Sequence, residues 1–237
     1  RGGYPELVTR KYKPSFDWFT SYLDTYLTRD VRDVREIGDI RDFRRFIQMM
    51  ATRVAQILNM SELSRDLGLS VPTIKKWISV LEASYIVFLL RPFHRNLGKR
   101  IVKSPKIYFV DTGLVSYFTG TRSAELFEKG PMYGPIFENY VISEILKREL
   151  HAKADAELFY YRTSNGSEID LIIDRKTKQE YIEIKTSETY RAGMTRAIEQ
   201  FKRKHDKGFL LYRGRGEYST PDLEIVNYKE YLERKTR

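Results

Sequence analysis

The sequence predicts an α/β protein (α+β in arrangement): a helical N-terminal segment, a winged helix-turn-helix, then a mixed sheet flanked by helices. Three observations carry this. Apolar residues recur at threes and fours from Phe16 to about Leu58. Between Ser61 and Tyr85 the chain reads as helix, glycine-containing turn and helix. Beyond Gly134, short β-branched runs alternate with helical ones. The expected divisions are 1–40 for the helical segment, 41–115 for the winged helix-turn-helix and 116–237 for the α/β domain.

The first segment places Leu23, Leu27, Val31, Val34, Ile37, Phe43, Phe46, Ile47, Met50, Val54 and Ile57 at helical spacing. Alternating charge lies between them, with Arg29/Asp33 and Arg32/Glu36 at i,i+4, the pattern of a solvated face. Gly38 is expected to interrupt the helix. The next segment, SELSRDLGLSVPTIKKWISVLEASY, starts with a short helix from Ser61 to about Asp66 and turns at Gly68. A second helix follows, with Ser70 as N-cap and Pro72 in its first turn. Its apolar stripe is Ile74, Trp77, Ile78 and Leu81, which leaves Thr73, Lys75, Lys76 and Ser79 facing outward.

Two strand-like runs complete a winged form: Tyr85 to Leu90 and Lys106 to Asp111. The loop between them is basic, with Arg91, Arg95, Lys99, Arg100 and Lys103. Such a loop suits phosphate contacts, and the exposed face of the second helix suits base edges. Winged helices also serve as protein-docking or spacer modules, so the fold alone does not choose between these uses. The polar stretch after Asp111–Gly120 sets the domain boundary near 112–132.

Composition narrows the partners. A formal net charge of +10 favours a polyanion such as nucleic acid over an acidic protein, the alternative being a basic but inert surface. The chain has no cysteine, which excludes disulfides and thiolate metal sites and suits a reducing cytoplasm. His94, His151 and His205 stand apart, without a zinc-ligand spacing. No apolar run reaches the roughly 18 residues of a membrane span. Abundant Lys, Arg, Glu, Tyr and Ile suits a thermophile. The chain opens on Arg1 rather than Met, as a fragment would.

In the last domain, PIFENYVISEILKREL is a strong helix with Glu138 among Val141, Ile142 and Ile145 on the wheel. A carboxylate there needs pairing, coordination or protonation. Glu144 is nearly as inward, and the wheel does not single out one of them. Strand-like ELFYYR, SEIDLIID and YIEIK follow, then a helix near Arg191 to Lys204, GFLLYR, LEIVNY and a helical tail.

Strict alternation puts Glu168, Asp170, Ile172 and Asp174 on one strand face, and Tyr181, Glu183 and Lys185 on another. A four-residue turn, Arg175 to Lys178, sets Asp174 opposite Gln179, Ile172 opposite Tyr181, Asp170 opposite Glu183 and Glu168 opposite Lys185. Facing like charges destabilise a hairpin unless something compensates them. Mg²⁺, which takes one or two carboxylates plus waters, would do so. Lys185, about 6–7 Å along the strand from Glu183, could then orient an attacking water or stabilise the charge of a phosphorane. An ordinary exposed hairpin face, with Glu168 and Lys185 as a cross-strand ion pair, fits the same pattern.

Asp170 followed by Glu183-Ile184-Lys185, behind a helix bearing Glu138, resembles the PD-(D/E)xK nuclease fold. The resemblance implies Asp170 and Glu183 as ligands of Mg²⁺ (or Mn²⁺), Lys185 as the hydrolytic assistant and Glu138 as an auxiliary metal-site acid. Gln200 resembles the glutamine some members carry. Ile169 stands where the family's proline would be. More widely, RGGYPE, SYLDTYLTRDVRDV, LSVPTIKKWISVLEASYIVFLL, RNLGKRIVKSPKIYFVDTGL, GPIFENYVISEILKR and RTSNGSEIDLII resemble the C-terminal region of prokaryotic AAA+-type ATPases, a domain of unknown function. That resemblance implies an N-terminal ATPase module. No G-x-x-x-x-G-K-[ST] occurs in this chain, so ATP enters only through a module on other sequence, with residues 1–40 left from or linking to it.

Overall fold

A computed structural model describes residues 2–11, 15–31, 39–93, 103–216 and 218–234. The chain forms two compact units, residues 1–89 with 107–139, and residues 90–106 with 140–237. Helices α1 (Pro5–Thr9) and α2 (Ser15–Thr25) come first, and a π-helical turn (Tyr26–Val31) continues α2. Then follow α3 (Ile40–Thr52), α4 (Met60–Leu67), α5 (Val71–Ala83), β1 (Val87–Pro92), β2 (Lys106–Phe109), α6 (Thr112–Phe118), α7 (Ala124–Lys129) and α8 (Tyr133–His151). The remaining elements are β3 (Glu157–Arg162), β4 (Glu168–Asp174), β5 (Gln179–Ile184), a 3-10 turn (Ala192–Thr195), α9 (Arg196–Phe201), β6 (Lys207–Tyr212), β7 (Tyr218–Ser219), β8 (Leu223–Asn227) and α10 (Tyr228–Glu233). Among the described residues eight strands form one mixed sheet in the order β2-β1-β3-β4-β5-β6-β8-β7.

The first unit follows its apolar stripes. Phe43, Phe46, Ile47 and Met50 of α3 meet Leu63 of α4 and Ile74, Trp77, Ile78 and Leu81 of α5 in one buried cluster. The Trp77 ring stands edge-on to Phe43, with centroids 5.2 Å apart. Between α4 and α5, Gly68 takes the left-handed conformation (φ 69°) that ends α4, and the Ser70 hydroxyl accepts from Thr73 N–H at the start of α5. The expected break at Gly38 and the Arg29/Asp33 and Arg32/Glu36 pairs involve positions outside the described residues.

Helix α8 buries Asn139 more deeply than the neighbouring Glu138. Asn139, 0% exposed, accepts from Phe109 N–H at 2.7 Å and donates to Phe109 C=O at 3.0 Å, so its amide completes the backbone bonding of β2. Glu138 is half-buried and accepts a hydrogen bond from the Tyr108 hydroxyl at 2.6 Å. Glu144 pairs with Lys147 on the same helix.

In the second unit, β4 and β5 form the expected hairpin. The register runs from Asp174–Gln179 through Ile172–Tyr181 to Leu171–Ile182. The turn is closed by Arg175 N–H donating to Lys178 C=O (3.0 Å), with Lys176 at φ 64°. The Arg175 guanidinium donates to both Glu149 oxygens on α8 (2.8 and 3.0 Å) and to Glu180 (2.8 Å). Burial of Glu149 is therefore matched by a bidentate partner. Parallel strands β6 and β8 extend the sheet beyond β5.

Strict alternation fails in one place. Phe159 pairs with Ile172 and Tyr161 with Ile169, so β4 uses three residues where β3 uses two. This bulge lets Ile169 and Ile172, three apart, enter the same apolar cluster with Tyr161, Tyr181 and Ile198. The set Glu168, Asp170, Ile172 and Asp174 is thus not one uninterrupted face. The helix expected over 191–204 is also shorter: a 3-10 turn holds Gly193, a poor helix former, and α9 spans only Arg196–Phe201. Elements α1, α7 and β7 carry too few residues for a periodic signal.

Asn139→Ala removes both hydrogen-bond partners of the Phe109 backbone and is expected to destabilise the protein by about 2–4 kcal/mol, since each buried backbone group left unsatisfied costs about 1–3 kcal/mol. Urea denaturation followed by circular dichroism measures it. A loss under about 0.5 kcal/mol would show that water or a rearranged side chain replaces the amide.

Candidate functional site

At the end of the hairpin the two strands part from regular pairing, and side chains take over. Asp170 and Glu183 are 7% and 8% exposed, unusual for acids. Asp170 Oδ2 accepts from Ile184 N–H at 2.8 Å, so its carboxylate lies against the Glu183-Ile184-Lys185 segment. Glu183 Oε1 accepts from Lys185 Nζ in an ion pair. The bulge sits immediately at Asp170–Leu171, the position where such an irregularity can redirect a side chain.

Glu168 has partners that a two-strand register does not include. It pairs with Lys106 of β2 and, through its other oxygen, with Arg162 of β3 at 3.0 Å. A simple Glu168–Lys185 cross-strand pair therefore does not describe this face. Nothing in the sequence pattern marks Lys106 as a site residue. Its side chain is 3% exposed, and its ammonium lies 5.7 Å from the centre of the Tyr160 ring. Burial pushes the Asp170 carboxyl above its ordinary value, against the pull of Lys106, Lys185 and the Ile184 N–H, while Glu168 adds to the rise. Desolvation is the larger effect here.

A cleft of about 370 Å³ opens beside these groups, lined by Ser167, Glu168, Glu183, Lys185, Arg196 and Gln200 among others. The structure thus brings Glu183, Lys185 and Gln200 to one cleft, with Asp170 joined to the same strand end through Ile184. Glu138 belongs to the first unit, where Tyr108 holds it. Among the described residues no group of three or more His, Asp or Glu side chains gathers as a metal cage. Two carboxylates at a strand end are nonetheless a donor set of the type Mg²⁺ uses when waters and phosphate oxygens complete its shell.

On the first unit, α5 exposes Lys75 and Ser79 and leaves Thr73 and Lys76 half-buried. The Thr73 hydroxyl is bonded to Ser70 at the helix start, at 2.8 Å. Lys103 is exposed. Arg95, Lys99 and Arg100 lie outside the described residues. No helix among the described residues is long and apolar enough to cross a membrane.

Asp170→Asn keeps an acceptor for Ile184 N–H and abolishes a charge that burial disfavours. The variant is expected to unfold at a higher denaturant concentration than the wild type in EDTA, because the cost of burying the charge is removed. A lower midpoint would mean that the carboxylate's attraction to Lys106 and Lys185 exceeds its burial cost.

Residues 133–231 match a domain of unknown function (DUF4143). The uncharacterized proteins Mb2031c of Mycobacterium bovis and Rv2008c of Mycobacterium tuberculosis are each 30% identical over 190 residues, 80% of this chain. The chain spans 42% of the length of these relatives. No solved structure matches it. Residues 1–125, more than half of the chain, match a domain of unknown function (DUF8612), and the chain belongs to that family.

Proposed function

We propose that this chain is the DNA-binding, nuclease-like C-terminal region of an AAA+-type ATPase, with a winged helix over about 41–115 and a PD-(D/E)xK-type domain over about 116–237. The observation that carries the reading is the convergence of Asp170, Glu183 and Lys185 at one strand end beside a cleft that Gln200 also lines. The mycobacterial relatives, of which this chain covers 42%, are long enough to hold an ATPase module as well.

Asp170 and Glu183 would hold a Mg²⁺ ion, which when bound polarises a phosphodiester and neutralises its developing charge. Lys185 donates from within the cleft, where it can orient a water or stabilise the pentacovalent phosphorus. Arg196, on the cleft wall, offers a guanidinium to a non-bridging phosphate oxygen. The bulge aims Asp170 at the 183–185 segment, and the Ile184 N–H fixes its orientation. Lys75, Lys76 and Lys103 supply positive charge for backbone phosphates, with Thr73 near the start of α5.

The ion pairs that already engage Glu183 and Glu168 favour a second reading, in which the same fold is a non-catalytic DNA- or protein-binding arm of the ATPase. Cleavage of supercoiled plasmid in Mg²⁺ separates the two. The nuclease reading expects nicking that falls by about 10²–10³-fold in Asp170→Ala and in Lys185→Ala, with DNA binding retained. Equal nicking by wild type and variants, or none by either, leaves the binding arm.

DNA binding has its own test. The affinity of wild-type protein for a short duplex is expected to weaken with salt, log Kd rising linearly with log salt. Replacing Lys75, Lys76 and Lys103 by alanine should lower that slope by about 0.9 for every phosphate the protein no longer neutralises. An unchanged slope removes these lysines from the interface.

A further inference from the structure

Lys106 has no part in the catalytic reading above, yet it is the most deeply buried cation described at the site. Its side chain is 3% exposed, and its acidic partner Glu168 stands on the cleft wall. Glu168 lies two residues from Asp170, and its second oxygen takes Arg162 at 3.0 Å. The Lys106 ammonium also rests against the Tyr160 ring, 5.7 Å from its centre. An ammonium enclosed in this way needs an acid beside it, and Glu168 supplies one. A buried ion pair is a poor means of gaining stability, because apolar residues of similar volume often do as well or better. The acidic partner of Lys106 lines the cleft, which suggests another use.

We propose that Lys106 is the resident counter-ion of the cleft: a positioning residue whose ammonium holds Glu168 and the adjoining Asp170 strand end in place without a divalent cation, and weakens the cleft's attraction for one. This rests on the proposed reading only in taking Asp170 and Glu183 as the pair a cation would approach. Arg162, on the other Glu168 oxygen, is far more exposed (41%) and solvent-screened, so it cannot replace a buried charge.

The test compares wild type with Lys106→Met, Lys106→Arg and Lys106→Met/Glu168→Gln. Thermal unfolding is followed in EDTA and in Mn²⁺, and Mn²⁺ binding is titrated by the electron paramagnetic resonance signal of the free ion. Lys106→Met is expected to melt several degrees lower than wild type in EDTA, to regain most of that loss in Mn²⁺, and to bind Mn²⁺ about tenfold or more tightly, since a unit charge paired with the cleft wall has been removed. Lys106→Arg should stay near wild type in all three measures. The double variant, which removes both charges together, should recover stability in EDTA. Should Lys106→Met fail to fold without metal, its recovery in Mn²⁺ and the folding of the double variant in EDTA support the same conclusion.

If Lys106→Met loses stability equally with and without Mn²⁺ and its Mn²⁺ affinity stays within about twofold of wild type, Lys106 is only a packing residue and the proposal is overturned. The two readings fail separately. Wild type that binds no Mn²⁺ while Lys106→Met binds it contradicts a metal-dependent wild-type site and supports the counter-ion. Wild type that binds Mn²⁺ as tightly as Lys106→Met does supports the metal site and contradicts the counter-ion.

Discussion

Burying charge at the end of the β4–β5 hairpin is the constraint on which the second unit turns. Asp170, Glu183 and Glu168 bring three carboxylates to one strand end, two of them under 10% exposed. Water cannot stabilise these acids as it would on a surface, so the protein must. Each one has a named donor: Ile184 N–H for Asp170, Lys185 for Glu183, and Lys106 with Arg162 for Glu168. Regular strand pairing is given up there to make this possible. The β4–β5 ladder runs as far as Leu171–Ile182, and the Ile184 N–H goes to a side chain instead.

The rest of the unit holds that strand end still. Arg175 ties the hairpin turn to Glu149 of α8 and to Glu180 of β5, while the Tyr231 hydroxyl reaches the other Glu180 oxygen at 3.1 Å. On one sheet face Ile169, Ile172, Tyr181 and Ile198 form a dry cluster. Tyr161 lies against Phe201 of α9, with ring centres 3.7 Å apart. Since α9 also carries Gln200 and Arg196 to the cleft, the packing that seats the helix sets the cleft's far wall. Positioning by rigid elements of this kind is what a site needs if small displacements are to matter.

Local signals are legible in the sequence wherever chemistry and geometry act over a few residues. Ser70, Gly68 and the stripe of Ile74, Trp77, Ile78 and Leu81 define α4, its turn and α5, because caps and helical periodicity are short-range. The hairpin register follows from the length of the Arg175–Lys178 turn, since a fixed loop leaves one pairing. Lys106 is not legible as a site residue. In sequence it ends a basic run, and only the sheet order, which inserts β1 and β3 between β2 and β4, relates it to Glu168. Asn139 is hidden for a similar reason: its partner, Phe109, is thirty residues away. The bulge depends on how β4 meets β3, so alternation within β4 cannot foretell it.

Charge arithmetic connects the site's static balance to its proposed use. Three acids, Glu168, Asp170 and Glu183, face Lys106, Arg162 and Lys185, and Arg196 on the cleft wall is a fourth cation, so the set carries a formal charge of +1 with nothing bound. A divalent cation entering alone would leave an excess of three positive charges in a poorly solvated place. A phosphodiester arriving with it lowers that excess to two. On the proposed reading, the balance therefore couples metal to nucleic acid: each binds more tightly when the other is present, as reciprocal linkage requires. On that reading such coupling would hold metal-dependent cleavage back until DNA filled the cleft, with Lys106 contributing one unit of the charge that enforces it.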